Sequence, residues 1–170
     1  EVFAELPELN DLNPLLQARA QRTLAHHDWF SGRLDSALTR YRAAAGFYSD
    51  NGDRFMVASA LYDVALTMSK LVTQGGATTK QLDEAVDAAL RAAVAGGNQQ
   101  TRAQVLLMIG QAPNRPLPER VRVVEEALEI RADFCASYMH MLDVLVLDMP
   151  PGLGDTSFDV INLLPRIEFL

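Results

Sequence analysis

Cysteine is nearly absent: the chain has one, Cys135, so it has no internal disulfide, nothing in it calls for an oxidising compartment, and a cytoplasmic setting is the expectation. It has no run of 18 apolar residues, and its first residues are acidic rather than basic. Neither a membrane span nor a signal peptide is therefore expected in the chain as given, and Glu1 in place of an initiator methionine reads as a trimmed chain. Basic residues are also short, 15 against 22 acids for a net charge of −7. The imbalance is terminal, because residues 1–11 hold four acids and no base and residues 143–170 five acids and one base, which leaves 13 acids against 14 bases between them. Without a basic face the chain cannot neutralise a phosphate backbone, which argues against nucleic acid and anionic membrane as partners. Aromatic residues are only 7%. Together with sparse β-branched residues this disfavours strands over most of the chain.

What is present is alanine and leucine, in 170 residues that are 49% apolar and 22% charged, the size and balance of one domain or one short array. Breakers at Pro14, Ser31-Gly32, Ser49 to Gly52, Gly75-Gly76, Gly96-Gly97 and Pro113 to Pro118 divide the first 140 residues. Between them the pattern predicts helices over 14–29, 34–48, 53–73, 79–95, 99–111 and 117–131. Start signals include Pro14, Asp53, the Thr78/Gln81 capping box and Pro118-Glu119. Consecutive antiparallel helices joined by short loops follow, and an irregular helical bundle is the alternative to a repeat.

A repeat is visible. Gly32, Leu34, Ala37, Tyr41 and Ala44 suit the second helix of a hairpin, and Phe55, Ala58, Ser59 and Tyr62 the first helix of the next. Leu24-Ala25 and Ala58-Ser59 fall about 34 residues apart. Ala85, Ala89 and Ala92 repeat the second-helix pattern after an insertion of about a dozen residues. Glu126 to Phe134 repeats it again, followed by Ala136, Tyr138, Met141 and Leu142, with Ala132 in place of a proline. This pattern resembles the tetratricopeptide repeat over about residues 14–145. The resemblance implies an all-α array of three to four antiparallel helical hairpins over 14–148, after an acidic segment 1–13 and before a Pro/Gly turn and terminal segment 149–170. It also implies a protein or peptide partner held on the inner face of the first helices, without catalysis or cofactor, and leaves open an assembly of identical copies. Carried into this register, the inner face contains Arg19, Arg22, His26, Trp29 and Phe30, then Asp53, Met56, Ala60 and Asp63, then Arg102 with Gln104 or Val105. Two arginines one turn apart can grip a carboxylate at a peptide end, with Trp29 as an apolar anchor. The structural alternative is a solvated arginine face with Trp29 packed on Phe47 or Phe55.

The last segment differs. Asp143 to Asp148 is an apolar run between acids, and Met149-Pro150-Pro151-Gly152-Leu153-Gly154-Asp155 follows it. From about Leu142 to Leu170 this resembles the Walker B strand and loop of the Mrp-type P-loop ATPases, which carry and deliver iron–sulfur clusters. That resemblance implies Asp148 near a magnesium ion and its water and Gly152 near a γ-phosphate, within a motif that includes Gly154 and Asp155, although Leu153 replaces the usual threonine. No Gly-x-x-x-x-Gly-Lys-Ser/Thr loop and no Cys-x-x-Cys accompany it, so hydrolysis by this chain alone is not expected. A lone parallel strand would lack hydrogen-bonding neighbours, so the reading preferred for Phe134 to Leu147 is a continuing helix, with Asp155 or Thr156 capping a last one to about Leu164.

Metal and covalent chemistry have little to build on. His26-His27-Asp28 project about 100° apart on a helix and cannot chelate together, and Cys135 and His140 lie off one face. No serine sits in a Gly-x-Ser-x-Gly elbow. The methionines Met56, Met68, Met108, Met139 and Met141 are read first as core filler.

Overall fold

The structure, a computed structural model, describes residues 13–112 and 114–135, with the side chains of residues 131–135 excepted. All regular structure among the described residues is α-helical: α1 (Pro14–Phe30), α2 (Leu34–Asp50), α3 (Arg54–Thr73), α4 (Thr79–Ala95), α5 (Gln99–Gln111) and α6 (Leu117–Cys135). The expected all-α class and the six expected helices are found, several ending a turn or less beyond the predicted boundary. The expectations for residues 1–12 and for the chain beyond Cys135, including the strand-or-helix question at 143–148, lie outside the described residues.

The boundaries follow from caps. The helix that opens each hairpin starts on an Asx residue whose side-chain oxygen accepts an orphan N–H: Asn13 from Leu15 at 2.9 Å, Asp53 from Met56 at 3.0 Å and Asn98 from Thr101 at 3.0 Å. Thr78 and Gln81 form the capping box of α4, as expected from their spacing. A shared turn then ends the helices. After α1, Gly32 at φ +78° lets its N–H reach the Trp29 carbonyl (3.1 Å) and the Arg33 N–H the Asp28 carbonyl (2.9 Å), the Schellman arrangement. The turns after α2, α3 and α4 repeat both hydrogen bonds. With one glycine turning each of the first four corners, the loops there are short and successive helices lie antiparallel.

Each helix packs on the one before it and the one after it, and α3 also approaches α5. This is the nearest-neighbour pattern of stacked hairpins. Small residues on the first helices let the second helices close in: Ala25 packs in a cluster with Leu34, Ala37 and Tyr41 of α2, and Ala65 with Val86 and Ala89 of α4. At α5 the small residue is Gly110, where a Cβ would come within 2.4 Å of Val124 Cγ2 on α6. By length and composition α3 is apolar enough to cross a membrane. In this fold that apolar character is used in packing, since Ala60, Val64 and Met68 join clusters with α2 and Ala65 one with α4 and α5.

The first helices run parallel to one another. Arg22 of α1 bonds Asp63 of α3, 41 positions away, and Ser59 of α3 faces Thr101 of α5, 42 positions away. Neighbouring first helices therefore meet at a longer offset than the 34 residues between Leu24-Ala25 and Ala58-Ser59.

Candidate functional site

Three helices each bring residues seven apart, two turns of one face, to the line where α1 meets α3: Arg22 and Trp29, Tyr41 and Tyr48, Asp63 and Lys70. At its centre Arg22 Nε donates to Asp63 Oδ2 at 2.6 Å, and His26 Nε2 lies 3.8 Å from the same oxygen. Asp63 is buried at 7% exposure. Burial lifts its pKa above the ordinary 3.8, and the hydrogen bond and charge of Arg22, with the charge of His26, pull it back without cancelling the rise.

Tyr41 lies beneath this pair, its ring 5.3 Å from that of His26 in an edge-on contact. Its hydroxyl is pushed above the usual tyrosine range by burial and then by the charge of Asp63, while Arg22 opposes the shift. Tyr48 is raised by burial, against the charges of Arg22 and Arg19, and further by Asp53 and Asp63. Arg19 therefore belongs to the same neighbourhood, at the end of the seam where α1 and α3 begin. At the other end Lys70 Nζ stands 4.3 Å above the Trp29 ring, and Phe30 meets that ring edge-on at 5.0 Å.

Two polar atoms on this line have no hydrogen-bond partner among the described residues: the Trp29 indole Nε1 and the Tyr48 hydroxyl, both out of contact with solvent. Among the described residues Phe30 is the most open large apolar side chain at 79% exposure. The seam thus has a buried polar centre, an apolar aromatic end and a cation, Arg19, that meets no carboxylate among the described residues.

The structure brings together five of the inner-face residues named from sequence in the first two hairpins, Arg19, Arg22, His26, Trp29 and Asp63, with Phe30 against Trp29. It changes what they do. Arg22 is engaged with Asp63 inside the chain, and Trp29 packs on Phe30, under Lys70 and against the Leu34 and Tyr41 cluster instead of on Phe47 or Phe55. Arg102 ties α5 to α6 through Glu126 at 2.5 Å and joins no contact at the seam. The nucleotide-associated residues Asp148, Gly152, Gly154 and Asp155 lie outside the described residues.

Sequence reasoning missed Tyr48 and Lys70 as site residues. The i, i+7 spacing from Tyr41 and Asp63 was the available signal. Asp28 was read only within His26-His27-Asp28. It is a buried anchor of the first hairpin, held by Arg33 at 2.6 Å, Ser36 at 2.6 Å and Arg40 at 3.0 Å. Burial raises its pKa, but the hydrogen bonds of Ser36, Arg33 and Arg40 and the charge of Arg33 more than reverse this. Beside it is an open cleft of about 520 Å³ lined by Gln21, Asp35, Ser36, Thr39, Arg40 and Ala43, none of them an expected groove residue. No group of three or more metal-ligating side chains occurs among the described residues.

Comparison with known proteins adds no relative: no protein-family model, no curated protein and no solved structure matches the chain.

Proposed function

We propose that the chain is a protein- or peptide-binding module built as a tetratricopeptide-like array, that the α1–α3 seam is its binding face, and that it performs no catalysis. The observation that carries this reading is Phe30, a large aromatic left 79% exposed beside the sole tryptophan and a lysine, at the end of a row of inner-face polar groups. Apolar anchors rimmed by charge are what protein interfaces are made of. The parallel run of α1, α3 and α5, with contacts about 40 residues apart, supports the array, because first helices stacked in one sense leave their outer sides as a continuous wall.

In this reading Arg19 supplies the free cation, Phe30 the anchor, and the Arg22–Asp63 pair holds α1 and α3 at the spacing a guest meets. The grip of two arginines on one carboxylate reduces to Arg19, since Arg22 is engaged. The test is capture of partners by the full chain with Arg19→Ala and Phe30→Ala combined, two exposed positions whose loss leaves the core untouched. Capture should fall sharply while the circular dichroism stays unchanged; undiminished capture would discard the seam as the binding face. Calorimetry with magnesium–ATP should show no heat of binding.

A further inference from the structure

Charge along the seam is opposite in sign to that of the chain. The protein carries −7 overall, yet the groups the seam turns to solvent are cations. Arg19 is exposed and Lys70 half-buried, and neither meets a carboxylate among the described residues. The acids beside them are occupied: Asp63 is buried against Arg22, and Asp53 caps α3 through the Met56 N–H. Apolar side chains accompany these cations. Phe30 is 79% exposed, and on α3 Phe55 and Leu66 are 51% and 36% exposed, eleven positions and so three turns apart on one face.

Resting on the binding face proposed above, we propose that its partner is an acidic protein segment carrying bulky apolar side chains, selected by charge at Arg19 and Lys70. An acidic guest lowers its energy at both cations without displacing an existing ion pair. A basic guest meets the same two groups as repulsion, with no carboxylate of the described seam residues free to offset it. The apolar side chains remove Phe30, Phe55 and Leu66 from water, and Lys70, now seated on the Trp29 ring, exchanges that weak contact for a charge pair at the rim. Because both cations are at the rim, the selection depends on ionic strength.

Trp29 is the sole tryptophan and lies on the seam, so its emission reports occupancy without a label. The probes are two synthetic amphipathic peptides of identical leucine and phenylalanine content, one with glutamate and one with lysine at every polar position, titrated into the full chain. The glutamate peptide should bind about tenfold or more tightly, and its advantage should shrink as salt is raised. The full chain with Arg19→Glu and Lys70→Glu should prefer the lysine peptide, and the Arg19→Gln, Lys70→Gln chain should prefer neither. Equal affinities, a preference that survives the charge reversal, or no binding of either peptide would overturn the inference. So would an emission change that tracks protein concentration alone, which would make a second copy the occupant. If the Arg19→Ala, Phe30→Ala chain loses its partners while the peptides are not distinguished, the binding face stands and charge selection fails.

Discussion

Asp63 gives the seam a pH dependence whose sign follows from its surroundings. Its folded pKa is above the ordinary 3.8, with burial as the largest cause. Between 3.8 and that raised value the folded chain holds a proton the unfolded chain has lost, so stability from this group falls as pH rises through the window and is regained as pH falls. Asp28 acts at the other end: its pKa is lowered, so its contribution is present above 3.8 and is lost as pH falls through the depressed value. Asp63→Asn keeps an acceptor for Arg22 and removes the charge. Urea midpoints measured across pH should then lose the decline above 3.8, so that the variant matches the native chain at low pH and exceeds it above the window, and an unchanged slope would place the titration elsewhere. Tyr48 gives a second prediction. Its buried hydroxyl has no partner among the described residues, so Tyr48→Phe should be neutral or stabilising by up to about 1 kcal/mol in urea denaturation. A loss of more than about 1 kcal/mol would mean that the hydroxyl is satisfied.

Helices in this chain are specified by their ends, and the ends were legible. Asp53 and Thr78 were read as start signals, Asn13 and Asn98 are equally suited to accept an orphan N–H, and the glycines that turn the first four corners, Gly32, Gly52, Gly75 and Gly97, fall within the breakers read from sequence. The close approach of α5 and α6 was not legible, because nothing local to Gly110 reports that Val124 comes against it across a loop. Gly110→Ala would put a methyl 2.4 Å from Val124 Cγ2 and should cost about 1–3 kcal/mol. The same change with Val124→Ala should recover part of the loss, since the colliding atom is then gone. Lack of recovery in urea midpoints would point to backbone strain at Gly110 in place of the side-chain contact.

Across the molecule, the sequence pattern named Arg19, Arg22, His26, Trp29 and Asp63, which meet at the α1–α3 seam, but not the register at which α1 and α3 meet. Equivalent positions of the sequence pattern recur about 34 residues apart, whereas the contacts between first helices join residues 41 and 42 apart. Seven residues are two helical turns, and a slide of two turns brings the same face to its neighbour, so an alanine pattern reports facing without fixing height. That is why Arg22 and Asp63 were both named for the groove while their pairing went unseen: a contact 41 positions apart depends on how the hairpins stack. In α3, Ala58, Ala60, Ala65 and Thr67 are fully enclosed. Its central amides should therefore exchange with deuterium more slowly than those in the first turn of α1, where Leu15 and Leu16 are exposed. The same experiment run on the full chain with a captured partner tests the central claim. Added protection should be confined to the inner sides of α1 and α3, around residues 19–30 and 55–70; protection that falls instead on the α2 and α4 surfaces would contradict the account.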